Sequence, residues 1–492
     1  MLKKVFSHPE CRFLFILLFG FSLLRLPSLF EPNWYGDEGI YQVLGRAMNA
    51  GRMLYSEIWD NKPPLLYVTY ALVDANHFLV RLLSYIAGLF AVYGFYLLTK
   101  RLFSVQSARF IATTVFAFLF AIPATEANIA NAENFMLVFL IFAGFLVFSV
   151  KDNLMHTTSL QKLFVAGILV AVAFLYKIVA VFDFAAFFLF LLFLSLPERL
   201  SLVRTKNLKT YLRPVLVFSA GYIAPIILTG LYFLLVGAFA PFLTATFTTN
   251  VSYVGWRNYF LIPQGLLLAK LLLLGLFVLF LFSKRVSLGK TALFVLLWFA
   301  FSLFGVFFSQ RPYTHYILMG ITSFSLLIGL LISEKRFRIL SLILIIIGTV
   351  LVISIFKPIR PKWLLGYYTN FIAYIAGQKS LTAYQAFFDS DMPGNYEIAQ
   401  FISRHTQKND IIFIWGNTAQ IYTLSDTLPP GRYTVAYHIT SSQAQAETQT
   451  AIDQKRARYI VLQSGSDIPQ FLLTAYTQTA TISDATIYER TR

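Results

Sequence analysis

Two short stretches early in the chain carry residue types that do chemistry. The first is Asp37-Glu38, a carboxylate pair that follows the first long apolar run. A carboxylate within hydrogen-bond reach of a hydroxyl can take its proton as the oxygen attacks, and a neighbouring carboxylate can orient it. The pair reads at least as well as a helix start, because acidic residues are favoured at helix amino termini. The second stretch is Trp59-Asp60-Asn61-Lys62-Pro63-Pro64-Leu65. Its prolines fix an extended segment and display Lys62 to an anionic group; the alternative is a turn that starts a helix. Further on, Lys177 interrupts an apolar run, and Arg311 belongs to Ser309-Gln310-Arg311-Pro312-Tyr313-Thr314-His315-Tyr316. Cations at such depth are expensive and usually functional or paired. Snorkelling is the alternative, and it suits Lys270 better. His315 could ligate a metal, although a lone His beside tyrosines is more often simply hydrogen-bonded.

These residues sit in a strongly apolar chain. Of its 492 residues, 57% are hydrophobic, 13% are charged and 51 are Phe; the mean hydropathy is +0.66. A soluble protein averages about 25% charged residues, and its surface has to be covered by polar groups. A soluble enzyme, a disordered chain and a disulfide scaffold are therefore excluded. With the single cysteine Cys11, no intrachain disulfide and no Cys-based zinc site can form. The net charge is +17. Residues 1–356 carry +15 of it and residues 357–492 only +2, so the excess lies among the apolar segments. There it reads as a topology signal, and no nucleic-acid partner is expected.

A bilayer core needs roughly 20 apolar residues per helix. About eleven such stretches are present: 12–30, 77–99, 108–124, 134–150, 162–176, 178–196, 214–238, 260–282, 291–308, 316–332 and 339–356. The fifth and sixth form one run that is split at Tyr176-Lys177. One alternating set of loops holds 19 basic residues and the other holds 6: Arg46, Arg52, Lys62, Lys177, Arg257 and Arg311. The positive-inside rule puts the 19 in the cytoplasm. The amino terminus is then inside, and the 31–76 loop and the 357–492 tail are outside. The first apolar run ends in Arg25-Leu26-Pro27 without small residues for cleavage, so it is expected to remain as a span.

The tail reads as a small α/β domain. Asp410–Gly416 and Tyr459–Leu462 are strand-like, Ala444–Ala457 is helical, and Asn395–His405 is an amphipathic helix. The tail contains Gly416-Asn417-Thr418 but no glycine-rich phosphate loop. The expected division is a membrane module over 1–356, with the 31–76 loop carrying the site, and an accessory domain over 357–492. The 31–76 loop alone collects six acidic residues, and an amphipathic helix is expected over Glu38–Asn49.

In combination these motifs are recognisable. A first span ends in Arg25-Leu26-Pro27. An external loop opens with Trp34-Tyr35-Gly36-Asp37-Glu38-Gly39-Ile40-Tyr41, then Asp60-Asn61-Lys62-Pro63-Pro64-Leu65. Arg311-Pro312-Tyr313-Thr314-His315-Tyr316 later enters a span. Over about residues 10–356 the chain resembles the GT-C glycosyltransferases, in the bacterial branch related to protein O-mannosyltransferases and lipid A aminoarabinose transferases. The resemblance implies a polyprenyl-phosphate sugar donor and transfer to an acceptor hydroxyl on the outer face, with inversion. By matching motifs, Asp37 becomes the general base, Glu38 its neighbour and Lys62 a donor-phosphate contact. Arg311 and Lys177 are further phosphate candidates, and Tyr41, Asp60, Tyr313 and His315 are further site candidates. The acceptor is a glycan, a lipid or a protein, and membrane lipids surround the chain. No cofactor is certain; some branches use a divalent metal, which the loop pair could hold with Glu126 or Glu133.

The competing class is a transporter or flippase of lipid-linked sugars. Transporters tend to show inverted repeats and broken helices at the midplane. Neither is visible in this sequence, and its charges gather at the outer rim. An oligosaccharide ligase or polymerase is a further alternative within the transferases. The topology is directly testable: a reporter active only outside the cytoplasm, fused at the carboxy terminus, should be active. Activity of a cytoplasm-only reporter there would mean a miscounted span, first of all at Lys177.

Overall fold

A computed structural model of the chain describes residues 8–150, 156–197, 208–255, 257–358, 360–407, 409–463 and 475–491. Of the basic residues used to orient the chain, Lys3, Lys4, Lys151, Arg199, Arg204 and Lys206 lie outside the described residues. Eight helices among those described are long and apolar enough to cross a membrane: Pro9–Leu29, His77–Leu102, Thr157–Tyr176, Ile178–Ser195, Lys209–Leu235, Gly265–Val306, Thr314–Ser333 and Lys335–Phe356. Two shorter apolar helices are Gln106–Ala121 and Ala132–Phe148. The run Gly265–Val306 is two helices that meet at Gly289, where φ is +76° and ψ 163°. Only glycine adopts such a conformation without strain. Helices therefore lie over all eleven apolar stretches, and the chain is a multi-pass membrane protein.

The described chain divides into two compact units. The first comprises Met1–Leu26, Leu83–Tyr232 and Thr248–Arg360. Its core is built from aromatic and small residues. Phe187 stacks on Phe294 at 5.7 Å, and Trp298 packs edge-on against Phe187 at 4.8 Å. The Trp298 indole N–H donates to the buried Asp183 carboxylate at 2.6 Å. Lys270 donates to the Phe307 carbonyl at 2.6 Å and to Asn258 at 3.3 Å. Internal hydrogen bonds thus hold it, where the sequence suggested snorkelling. Gly167 and Gly221 let two helix backbones touch, since a Cβ at either would collide with the other helix.

The second unit comprises Pro27–Leu82, Phe233–Phe247 and Pro361–Arg492; the loop that carries Asp37 and Lys62 thus groups with the tail. Helix Gly36–Asn49 has Asp37 and Glu38 in its first turn and buries Ile40, Tyr41, Val43 and Leu44. Helix Pro64–Leu72 starts on Pro64, which lacks the amide hydrogen that a first-turn residue would leave unpaired. The two helices meet at Gly45, where a Cβ would stand 2.9 Å from the Ala71 amide nitrogen. The tail forms the expected α/β domain, with a four-stranded sheet in the order β1-β2-β4-β3. β1 (Ile412–Trp415) runs parallel to β2 (Tyr459–Leu462), joined through helix Ser442–Lys455; β4 (Ala485–Arg490) and β3 (Tyr476–Ile482) are antiparallel.

Loop and tail interlock through polar contacts. Tyr367 OH donates to Glu31 at 2.5 Å, and Arg46 pairs with Asp426 at 2.9 Å. The Trp59 amide donates to the Arg432 carbonyl at 3.0 Å. At the centre Arg81, fully buried, pairs with Glu31 at 3.0 Å and Glu38 at 2.5 Å, both carboxylates equally buried. Removing one partner of a buried ion pair typically costs about 3–5 kcal/mol. Arg81→Gln should therefore lower the thermal midpoint of the detergent-purified protein by well over the shift caused by removing an exposed pair, such as Arg46→Gln. Equal shifts would show that the buried triad is not the stronger anchor.

Candidate functional site

The predicted residues fall into two clusters, one in each unit. In the second unit, Lys62 Nζ stands 3.7 Å from Asp37 Oδ2 and 3.6 Å from Asp60 Oδ2. It also lies 4.9 Å from the centre of the Tyr41 ring. Tyr41 OH donates to Asp37 at 3.1 Å, one helical turn away. Tyr67 OH donates to Asp60 at 2.8 Å and accepts from the Lys62 amide at 3.0 Å. Tyr55 OH donates to the Lys62 carbonyl at 2.8 Å. The backbone of Lys62 is thus pinned on both sides, while its side chain and that of Asp37 stay partly exposed, at 22% and 33%. Glu38 turns the other way, into the ion pair with Arg81. Adjacent residues in the sequence, Asp37 and Glu38 therefore occupy different environments.

Burial alone would push the Asp60 carboxyl up, but Lys62, His438, the Asn61 amide and Tyr67 outweigh it and hold it below the usual carboxylate range. His438 also flanks Asp60, with Nε2 3.9 Å from Oδ1. Burial, against the pull of Asp60, lowers His438 from 6.5 to about 4, so it is neutral at pH 7. Burial, with Asp37 and Asp60 adding to it, pushes the Tyr41 phenol well up, which keeps it a hydrogen-bond donor. Sequence reasoning missed His438: it lies in the tail, in a stretch with no motif, and only the fold carries it to Asp60.

In the first unit, Lys177 pairs with Glu133 and lies 4.4 Å from the centre of the Tyr316 ring. His315 Nδ1 is 2.9 Å from Glu126, and its Nε2 is 3.8 Å from Glu133. The Tyr313 ring lies parallel to His315 at 5.7 Å. The Arg311 amide donates to Ser309 Oγ at 3.4 Å. Asn134 holds the preceding loop by donating to the Ala127 and Ile129 carbonyls, each at 2.6 Å. His315 and Lys177 thus each have a carboxylate partner. Among the described residues, no three His, Cys, Asp or Glu side chains gather as a metal-binding group.

The architecture matches known structures. ArnT from Cupriavidus metallidurans in the apo state aligns with a TM-score of 0.55 at 15% identity, over 96% of this chain and 97% of that one. The same protein bound to undecaprenyl phosphate gives 0.55 at 12% identity over the same shares. The fold is that of the GT-C glycosyltransferases. The archaeal oligosaccharyltransferase AglB from Archaeoglobus fulgidus, in complex with an inhibitory peptide and a dolichol-phosphate, aligns at TM-score 0.49 and 12% identity, over 93% of this chain and 69% of that one. Residues 62–228 match the family model for dolichyl-phosphate-mannose-protein mannosyltransferase, which bears out the resemblance to the protein O-mannosyltransferases. Residues 394–490 match the competence-induced protein Ccs4 C-terminal domain. No curated protein sequence matches the chain.

The titration of His438 has a measurable consequence. The groups that face it are Asp60, Lys62 and Asp37, with the rings of Trp59 and Tyr437 against it. Its folded value is about 4 against 6.5, so between these values the unfolded chain binds the proton first. The stabilisation is full above pH 6.5 and is lost as pH falls toward 4, by up to about 3 kcal/mol. The fall in thermal midpoint between pH 7 and pH 4 should be smaller in His438→Gln than in the unaltered protein. An identical fall would mean that His438 is not held neutral.

Proposed function

We propose that this chain transfers a sugar from a polyprenyl-phosphate carrier to an acceptor hydroxyl at the outer face of the membrane, with inversion. The observation that carries the reading is the Asp37–Lys62 pair: a partly exposed carboxylate and a partly exposed ammonium, 3.7 Å apart on a pinned backbone, in a chain with the GT-C fold. The undecaprenyl phosphate of the ArnT structure supports the class of donor.

Asp37 is the general base in this reading. The attacking hydroxyl must lose a proton as it bonds to the anomeric carbon, and a positioned carboxylate accepts it. Tyr41, donating to Asp37, sets the direction of the carboxylate. Glu38 acts at one remove, since its pair with Arg81 fixes the helix that carries Asp37. Lys62 is the phosphate contact. As the anomeric bond breaks, negative charge grows on the phosphate, and a fixed ammonium stabilises it. Arg311 and Lys177 remain further phosphate candidates, with Asp60, Tyr313 and His315 in supporting roles. The acceptor is a glycan, a lipid or a protein hydroxyl.

Two substitutions separate the roles. Asp37→Asn keeps the shape and removes the basicity; turnover should fall by about 10²–10⁴-fold while undecaprenyl phosphate still binds. Lys62→Ala should weaken that binding as well as turnover, because the phosphate is anionic before the reaction too. Turnover is read as release of undecaprenyl phosphate from undecaprenyl-phosphate monosaccharides by the purified protein. Normal turnover by Asp37→Asn would reduce the carboxylate pair to a helix start.

A further inference from the structure

Residues of the tail reach the site loop. The Trp59 amide donates to the Arg432 carbonyl at 3.0 Å, and the Trp59 ring meets Tyr433 at 5.9 Å. The Trp59 ring also stands edge-on to the His438 imidazole, 4.9 Å between centres and 88° between planes. This packing brings His438 Nε2 to 3.9 Å from Asp60 Oδ1. The other oxygen of Asp60 accepts from Tyr67 at 2.8 Å and faces Lys62 at 3.6 Å. The His438 Nδ1 atom is buried and makes no hydrogen bond among the described residues. His438 is thus a buried imidazole that faces the Asp60 carboxylate of the loop, with Lys62 and Asp37 also near it, and burying an unsatisfied nitrogen carries a cost.

We propose that His438 is a positioning residue, supplied by the carboxy-terminal segment, that fixes the Asp60 carboxylate and through it the Lys62 ammonium. A carboxylate rotates about its last torsion unless both oxygens face fixed groups. Tyr67 stands at one oxygen and His438 at the other. Lysine carries a flexible four-carbon stem, so the direction of its head depends on where the flanking carboxylates stand. The tail then completes the site rather than decorating it. The inference rests on the reading that Lys62 meets a polyprenyl phosphate.

The test is undecaprenyl phosphate affinity of the full chain in detergent. His438→Phe keeps an aromatic edge against Trp59 and loses the polar face; His438→Gln keeps an N–H near Asp60. We expect His438→Phe to weaken binding by about tenfold, within the range of coupled contacts, and His438→Gln to recover most of it. In an Asp60→Asn background, His438→Phe should have no further effect. The same tenfold loss in that background, or wild-type affinity of His438→Phe, would overturn the role of His438. In that case loss of binding in Lys62→Ala would leave the phosphate reading standing. Equal affinity of Lys62→Ala and the unaltered protein would remove the phosphate reading, and this inference with it.

Discussion

A buried guanidinium has to be neutralised where it stands, and in this chain that requirement organises the 31–76 loop. Arg81 meets Glu31 and Glu38, both fully buried, and donates to the Ser28 carbonyl at 3.2 Å. Each partner is in turn tied to something else. Glu31 also accepts from the Trp34 indole at 2.8 Å and from Tyr367 of the tail at 2.5 Å. Glu38 sits in the first turn of Gly36–Asn49, so the pair sets the rotation of that helix about its axis. Successive helical residues point about 100° apart; with Glu38 drawn inward, Asp37 is left facing Lys62. Leaving a charge unpaired in this interior would cost several kcal/mol, far more than a surface pair is worth.

Much of this was legible in the sequence, and what was not has a common cause. The eleven apolar stretches, the helix through 38–49, the extended Pro63 before a helix, and the strands at 412–415 and 459–462 all follow from local pattern. The hairpin of β3 and β4 does not: β3 is mostly exposed along Tyr476–Ile482, so it lacks the alternation that marks a half-buried strand. Asp37-Glu38 was legible as a pair but not as two residues in different environments, because the difference comes from Arg81, 43 residues away in sequence. A charge near the end of a span announces that it needs a partner without saying which. His438 had no signal at all, since one histidine in a polar tail is unremarkable until the fold sets it against Asp60.

On the proposed reading, donor binding competes with the two carboxylates for Lys62. At rest Lys62 is shared between Asp37 and Asp60, and two carboxylates against one ammonium leave the group net negative. A phosphate arriving there is attracted to Lys62 and repelled by both carboxylates, so it does best if it draws the ammonium away from one of them. Asp60 is the worse one to abandon. It is buried, and Lys62 is the strongest of the influences that keep it ionised. Asp37 is a third exposed and can be hydrated when its countercharge leaves. Binding of the donor would then free the Asp37 carboxylate to face the acceptor hydroxyl, whereas without a donor it stays paired with Lys62.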